Sequence, residues 1–520
     1  MRLSTRGKGL TQGELPDPAV IIICGASGDL AQNILLPSLY SLFRRGLLPD
    51  NFAILGFAVD PRDDETFRQE TVTRTRTRAD FDEDCWRRFA RHLHYQIGNF
   101  TDAAEQSYAR LAQRLQDLRA AQHLPDNFLF HLATLPQFYG EIVSKCARAG
   151  LLAERAPGWR RVIIEKPFGR DRPSARQLDE QLHAVIREEQ LYRVDHFLGK
   201  ETVQNMLVFR FANPGFEPIW NHHYVDHVQI TAAEYDGIRQ RGAFYEKVGV
   251  VRDMVQNHLL QLMCIAAMEP PLWYDGPHLR SKMVEVLQAV RPLDLPRDAV
   301  LGQYAAGAQG GAPVHGYRQE PKVAPNSTTP TFAALRLAID NWRWSGVPFF
   351  LRTGKRMARQ LTEVSIFFKP TPHTMFPGQH TGPRSGNLLT FRLSPEEGII
   401  HDFFAKQPGP KVVLQPVSMN FRYDEAFGIE NLPSAYEWLL YDALRGDQTL
   451  FPHSDWIDQA WAIMDPLTRH HEQHPQAMLP YAAGTWGPDQ ANRLLQDLQR
   501  AWYNGEGACD REDRVARQST

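Results

Sequence analysis

The sequence predicts two lobes in succession: a doubly wound α/β domain over residues 19–197 and an α+β domain over residues 198–505. Three observations carry this reading. Before residue 198, short apolar runs without alternation are separated by helical periodicity, as expected for strands covered on both faces of a parallel sheet. The first of these runs, Val20-Ile21-Ile22-Ile23-Cys24, passes directly into a glycine-containing turn. Beyond residue 198 the strand-like runs lengthen and partly alternate, which suits a sheet with one face on a core and the other more exposed.

Size and composition set the outer limits. A chain of 520 residues outgrows a single hydrophobic core, so more than one domain is expected. Its 43 % hydrophobic content and net charge of −2 describe an ordinary soluble globular protein, with no global basic excess for nucleic acid. Any anion binding must therefore be local. The longest strongly apolar run, residues 259–268, contains Gln261 and falls far short of the ~20 residues of a membrane span. The first 18 residues hold Arg2, Arg6 and Lys8 without an apolar stretch, which argues against a secretory signal. They read as a disordered leader, and residues 506–520 as a flexible tail. Five cysteines (Cys24, Cys85, Cys146, Cys264, Cys509) are scattered without metal-ligand spacing, so no metal is expected and reduced thiols in the cytoplasm fit best.

The turn after the first strand is Gly25-Ala26-Ser27-Gly28-Asp29-Leu30. Its glycines permit a tight bend and close approach to a pyrophosphate, and a helix starting just beyond points its amide N–H groups at that anion. The spacing departs from GxGxxG, so on this motif alone a simple strand-ending turn stays an alternative. Residues 53–57 read as the second strand. Asp60, just past it, suits the adenosine ribose, because a carboxylate accepts from the 2′- and 3′-hydroxyls and repels a 2′-phosphate. Ser27 and Arg62 are the residues able to hold a 2′-phosphate instead. The choice between NAD and NADP stays open, weighted towards NAD being used at least as well.

Residues 101–121 carry Tyr108, Leu111, Leu115 and Leu118 at helical spacing, with Asp102 and Glu105 placed like a capping box. Residues 127–133 read as a buried strand ending at Thr134-Leu135-Pro136. Residues 161–164 read as another, running into Glu165-Lys166-Pro167-Phe168-Gly169. Lys166, at the carboxyl end of a parallel strand, faces the ligand crevice, and the bond before Pro167 is a candidate cis peptide.

In the second domain, residues 226–233, 331–339, 363–368 and 387–393 read as strands. Residues 303–330, with Gly307, Gly310, Gly311 and Pro313, read as loop, and Pro330 as a residue that shortens a ladder or sits at its edge. Residues 252–268 are helical by pattern, with Val255, Leu259, Leu262, Met263 and Ala266 on the apolar face. His258 lies beside that stripe, and on periodicity alone it is a packed core histidine. A helix beginning near residue 433 stops at Gly446, as a C-cap glycine predicts. Between the lobes lies the stretch Arg193-Val194-Asp195-His196-Phe197-Leu198-Gly199-Lys200-Glu201. If helical, it puts His196 and Lys200 on one face and Asp195 about 100° away, so one face can grip an anion while the carboxylate serves another group. A helix start with solvated charges is the plainer alternative.

Five separated motifs, in order over residues 19–470, resemble the glucose-6-phosphate dehydrogenase family. They are the turn at residues 25–31, Glu165-Lys166-Pro167-Phe168-Gly169, the charged stretch above, Arg252-Asp253-Met254-Val255-Gln256-Asn257-His258, and the run from Asn341 to Lys355. The resemblance implies a Rossmann-like first domain and, in the second, a large mostly antiparallel sheet used for dimer contact, with a homodimer or homotetramer in the cytoplasm. It implies hydride transfer from C1 of D-glucose 6-phosphate to NAD or NADP. The product is 6-phospho-D-glucono-1,5-lactone, in the first step of the oxidative pentose phosphate pathway.

By the same resemblance His258 is the general base, and Asp195 accepts from its other ring nitrogen and steadies the imidazolium as it forms. His196 and Lys200 take the phosphate, while Lys166, Glu234, Asp253 and Lys355 hold the sugar. Gly25, Ser27, Gly28, Asp29, Leu30, Val59, Asp60, Arg62, Thr134, Pro136, Lys166 and Pro167 make the coenzyme side. Three departures from the family pattern bear on function. Val59 stands where NADP-preferring members carry an arginine, with Gln32 and Asn33 where they carry cations. Phe197 replaces a tyrosine, which loses one hydrogen bond of ~1.5–3 kcal/mol to a charged acceptor and raises KM. Gln360 replaces a cation beside the substrate. Phe197 and Gln360 keep open a broader sugar range, including other hexose 6-phosphates and free glucose. A non-catalytic relative kept as an interaction subunit is the other reading, opposed by the presence of Lys166, Asp195, His196, Lys200, Asp253 and His258.

Overall fold

Six strands make the first sheet: the apolar runs β1 (Val20–Cys24), β2 (Ala53–Ala58) and β4 (Phe128–Leu132), with the more mixed β3 (Leu93–Ile97), β5 (Arg160–Ile164) and β6 (Leu191–Arg193) outside them. The computed structural model describes residues 13–505 except 374, 377–386 and 430–431. In it these strands pair in parallel in the order β3-β2-β1-β4-β5-β6. Every residue of β1, β2 and β4 is buried, because helices cover both faces. The order reverses between β1 and β4, so their carboxyl ends flank the crevice where such sheets bind ligands.

The second sheet is built from β7 (Val225–Ala233), β8 (Ala299–Ala305), β11 (Phe332–Ala338), β12 (Pro348–Gly354), β13 (Leu361–Phe368), β14 (Leu388–Ser394), β15 (Gly398–Lys406), β16 (Leu414–Arg422) and β17 (Leu479–Ala482). A separate hairpin, β9 (Gly307–Gln309) with β10 (Ala312–Val314), follows β8. The order in the sheet is β16-β15-β14-β13-β7-β12-β11-β8-β17. Only β7 with β12 and β8 with β17 are parallel, so the sheet is mostly antiparallel, as expected. One hydrophobic core runs from β1 through the helices at the junction to β13, and a smaller one around Phe332, Tyr481 and Trp502 fills the far side. No helix among the described residues is long and apolar enough to cross a membrane.

Several sequence expectations need correction. The helix expected over residues 101–121 is Gln106–Gln122, and its capping box is absent: Asp102 accepts from the Ser107 amide at 2.8 Å within its own turn, while Glu105 pairs with Arg148. Residues 303–330 are not all loop, since β8 runs to Ala305 and the β9–β10 hairpin lies among them. The ladder of β11 begins after Pro330, at Phe332. Exposure is found towards the two edges of the sheet, at β15 and β16 and at β17, because β7, β12 and the first six residues of β13 are buried on both faces apart from Asp226. Of the expected leader, residues 13–18 pack on the fold: Tyr441 Oη donates to Glu14 O at 2.6 Å and Asn127 Nδ2 to Pro18 O at 3.0 Å. Residues 1–12, the expected tail 506–520 and with it Cys509 lie outside the described residues. The other four cysteines are buried free thiols.

A buried arginine ties the junction helices together. Arg210, at the end of helix Glu201–Phe211, donates to the carbonyl oxygens of Ile265, Ala266 and Met268 at 2.9, 3.2 and 2.8 Å and pairs with Glu217 at 3.2 Å. Burial pushes its pKa down to about 10, so its charge persists at neutral pH. Arg210→Ala is expected to cost about 3–5 kcal/mol in urea unfolding, because Glu217 loses its partner and the Ile265 and Met268 carbonyls lose this donor, while Ala266 O keeps Trp220 Nε1. A loss below about 1 kcal/mol would show that packing alone joins these helices.

Candidate active site

The turn after β5 is held from both sides. Tyr139 Oη donates to Glu165 O at 2.9 Å, Trp461 Nε1 donates to Phe168 O at 2.9 Å, and the Lys166–Pro167 bond is cis. Lys166 is thereby aimed across the crevice at a helix of the second lobe. That helix is not the uniform α-helix expected over residues 252–268. It is a π-helix over Val251–Leu259 followed by the α-helix Leu260–Ala267, and it is preceded by Gly249 at φ 64°, where a side chain is strained. Hydrogen bonds of a π-helix run from i to i+5, so residues five apart stand on one face. Asp253 and His258 are five apart, and both reach Lys166.

The contacts form one chain of alternating charge. Lys166 Nζ lies 2.9 Å from Asp253 Oδ1, 2.8 Å from Asp253 O and 2.8 Å from His258 Nε2. His258 Nδ1 lies 2.6 Å from Asp195 Oδ1, which also accepts from the Phe197 amide at 3.0 Å. On the other side Asp253 Oδ2 is 3.4 Å from Lys355 Nζ, which is paired in turn with Glu234. Burial works against the charges on Asp253 and Lys355, but their partners outweigh it and hold the acid well below, and the amine above, the usual range.

Protonation follows from the same contacts. Burial raises the cost of charge on Asp195, yet His258 holds its carboxyl below the usual range, so it accepts. His258 therefore donates through Nδ1, and Nε2 carries the lone pair that Lys166 meets. Burial depresses the His258 pKa below the ordinary 6.5, Asp195 pulls it up, and Lys166 pushes it down. Burial, His258 and Lys166 depress His196 further, so it is a neutral ring at neutral pH, not the cation the sequence suggested. The His196 and Phe197 rings pack on His258, edge-on at 4.4 Å and face-on at 4.3 Å.

A cavity of about 700 Å³ opens in front of this chain, within the range of small-molecule sites. Lys166, His196, Lys200, Glu234, Asp253, Lys355 and Gln360 line it, and it extends to Leu30, Thr134, Pro136 and Pro167 on the first lobe. Asp195 and His258 lie behind the wall, 2 % and 0 % exposed. The segment from Asp195 to Lys200 is a turn, not the helix entertained above. Leu198 N donates to Asp195 O and Lys200 N to Phe197 O, and the helix starts only at Glu201, after Gly199. His196 and Lys200 still face one cavity, brought there by the turn. Lys200 Nζ donates to Leu393 O at 3.0 Å, and Gln360 Oε1 accepts from the Tyr235 amide at 3.1 Å.

Sequence reasoning missed Tyr436, Glu165 and Arg241. Tyr436 Oη donates to Glu165 Oε2 at 3.0 Å, and its ring lies parallel to His196 at 6.3 Å on the cavity wall. Arg241 also reaches the cavity. Glu165 stood in the Lys166 motif and was findable there. Nothing in the spacing around Tyr436 or Arg241 links them to the site.

The first-lobe end of the cavity fits a dinucleotide. Gly25 has φ 89°, and a Cβ there would come within 2.4 Å of Ala133 O, so the turn is pressed against the end of β4. Gly28 is exposed just ahead of a helical run over residues 29–44, and Asp29, its first residue, is exposed too. Gln32 is buried and donates to Ala26 O at 2.8 Å, which braces the turn from beneath. Beyond β2, Val59 is exposed and Asp60 half-exposed, whereas Arg62 is paired with Glu70 at 2.8 Å and lies 3.6 Å from Asp60.

A doubly wound sheet with a glycine turn on β1, facing a second lobe across a cavity, is the architecture of a dinucleotide-dependent oxidoreductase. Residues 22–205 match the model of the glucose-6-phosphate dehydrogenase NAD binding domain, and residues 207–503 that of the glucose-6-phosphate dehydrogenase C-terminal domain. The chain is 42 % identical over 490 residues to a glucose-6-phosphate 1-dehydrogenase of Aggregatibacter actinomycetemcomitans, covering 94 % of this chain and 97 % of the relative. It is 39 % identical over 492 residues to one of Bacillus subtilis, covering 94 % and 98 %. Among solved structures, a glucose-6-phosphate dehydrogenase in complex with its substrate glucose-6-phosphate superimposes with TM-score 0.85 at 31 % identity, covering 95 % of this chain and all of that one. The enzyme of Mycobacterium avium gives 0.78 at 36 %, covering 94 % and 99 %. The chain belongs to the glucose-6-phosphate dehydrogenase family.

The contacts at His258 generate a sign that can be measured. Histidine-selective NMR titration is expected to place the His258 midpoint below 6.5, since burial sets it. In Asp195→Asn the charge that raises it is gone, so the midpoint moves to still lower pH. An upward move would contradict the Asp195 contact.

Proposed function

We propose that this chain oxidises D-glucose 6-phosphate at C1 with NAD or NADP, releasing 6-phospho-D-glucono-1,5-lactone as the first step of the oxidative pentose phosphate pathway. The observation that carries the mechanism is the Lys166 ammonium, 2.8 Å from His258 Nε2. It stands where a substrate hydroxyl would donate to the same lone pair. Because Lys166 is also bonded to Asp253, it can keep that partner while the C1 hydroxyl takes its place at Nε2. His258 then takes the hydroxyl proton as general base, and Asp195 stabilises the imidazolium. The nicotinamide, when bound, supplies the hydride acceptor.

The remaining roles follow from charge and position. His196 and Lys200 are the phosphate ligands, and a bound dianion would draw a proton back onto the depressed His196. Glu234, Asp253 and Lys355 address the sugar hydroxyls, with Gln360 at the cavity edge. Gly25, Ser27, Gly28, Asp29 and Leu30 cradle the pyrophosphate, Val59, Asp60 and Arg62 surround the ribose, and Thr134, Pro136, Lys166 and Pro167 flank the nicotinamide. In this reading residues 19–197 bind the coenzyme and residues 198–505 supply the base and sugar site. The family resemblance supports a cytoplasmic homodimer or homotetramer joined through the nine-stranded sheet.

Steady-state assays with both coenzymes test the proposal. Glucose 6-phosphate should be oxidised with far higher kcat/KM than glucose, and His258→Asn should lower kcat by ~10²–10⁴. Equal kcat/KM for the two sugars would remove the phosphate site, and no reduction of either coenzyme would remove the activity. Phe197→Tyr should lower KM for the sugar phosphate about tenfold through one added hydrogen bond, with kcat little changed. An unchanged KM would show that position 197 does not reach the phosphate.

A further inference from the structure

We propose that Glu70 sets the coenzyme preference of this chain by occupying Arg62 beside the adenosine ribose, so that the site favours the 2′-hydroxyl of NAD over the 2′-phosphate of NADP. The proposal rests on the coenzyme reading above and concerns the end of β2, where a doubly wound sheet meets that ribose. Asp60 follows β2 with its side chain 49 % exposed. Tyr95 Oη, donating to Asp60 O at 2.8 Å, fixes the backbone that presents it. An exposed carboxylate accepts from a ribose hydroxyl and repels a phosphate.

Arg62 is the cation that could reverse this preference, and the structure turns it inward. Its Nε is 2.8 Å from Glu70 Oε2, its side chain is 18 % exposed, and its Nη1, buried without a hydrogen-bond partner, lies 3.6 Å from Asp60 Oδ2. Arg68 is also committed, donating from Nε to Leu93 O at 3.1 Å. Glu70 lies on helix Asp64–Thr75, which is docked on the nucleotide turn: Thr71 Oγ1 meets Gln32 Oε1 at 3.4 Å, and Gln32 braces Ala26. The start of that helix adds Asp63, Asp64 and Glu65, with Asp63 capping the Thr66 amide at 2.7 Å. A 2′-phosphate entering here must either displace Glu70 from Arg62 or stand unpaired beside Asp60. A hydroxyl needs neither.

Equilibrium binding of NAD⁺ and NADP⁺, measured by calorimetry without sugar, separates this proposal from the reaction itself. Glu70→Gln should tighten NADP⁺ by about fivefold or more and leave NAD⁺ within about twofold, because the freed guanidinium gains a charged acceptor. Arg62→Ala added to Glu70→Gln should remove the gain. An unchanged ratio in Glu70→Gln, or a gain that survives Arg62→Ala, overturns the proposal while leaving the coenzyme site in place. Failure of the unmodified protein to bind either coenzyme overturns both. Glu70 is 41 % exposed, so the substitution leaves the core untouched.

Discussion

The Lys166 ammonium is the point at which the two lobes become one site. It comes from the first sheet, yet its three close contacts, Asp253 O, Asp253 Oδ1 and His258 Nε2, all belong to the π-helix of the second. Of the further members of the chain, Lys355 and Asp195 are buried and tolerable there only because each neighbour has the opposite sign or an available proton, while Asp253 and Glu234 stand half-buried on the cavity wall. The arrangement therefore specifies the relative position of the lobes as well as the protonation of the base. Opening the crevice by even a few ångströms would leave buried charges unpaired, so the closed geometry is favoured by electrostatics and by packing together.

What the sequence disclosed and what it did not divide along a physical line. Val20–Cys24 appears with the limits its pattern suggested, because a strand buried on both faces must be apolar throughout. Gly446 ends helix Ala435–Arg445 in the left-handed conformation, as a local rule predicts. The start of helix Gln106–Gln122 was misplaced because Asp102 and Glu105 satisfy nearby partners that compete with a cap. β15 carries His401, Asp402 and Lys406, and β16 Gln415, Ser418 and Asn420, on a half-exposed surface, and β12 lies inside a motif that reads as chemistry, so none of the three stands out as a strand. The π-helix has no composition of its own. It is a tertiary compromise, and only the coordinates show that it sets Asp253 and His258 on one face.

The site shows the same division. Motifs carried the residue types, and the family resemblance assigned them roles and one pairing, His258 with Asp195, but not the contacts of Lys166, Glu165 or Arg62. That His258 is buried behind Lys166 and that His196 is neutral depends on what surrounds each ring. Arg62 illustrates the gap most sharply: read alone it is a phosphate ligand, and only its pairing with a glutamate eight residues on, in the next helix, changes its meaning.

In the proposed mechanism, burial of His258 has a chemical consequence of its own. A histidine in water at neutral pH is mostly deprotonated already, so lowering its pKa makes it a weaker base. What the protein gains is control of where the proton goes. With Phe197 stacked on one face, His196 against it and Nδ1 committed to Asp195, the imidazole has one open atom and one tautomer. The imidazolium that forms on proton transfer is destabilised by burial and by Lys166 and stabilised by Asp195, two effects of opposite sign set a few ångströms apart. Their balance keeps the base neutral before the reaction and ready to give up its proton after it, and that poise requires the charge of Asp195 and that of Lys166 to be present together.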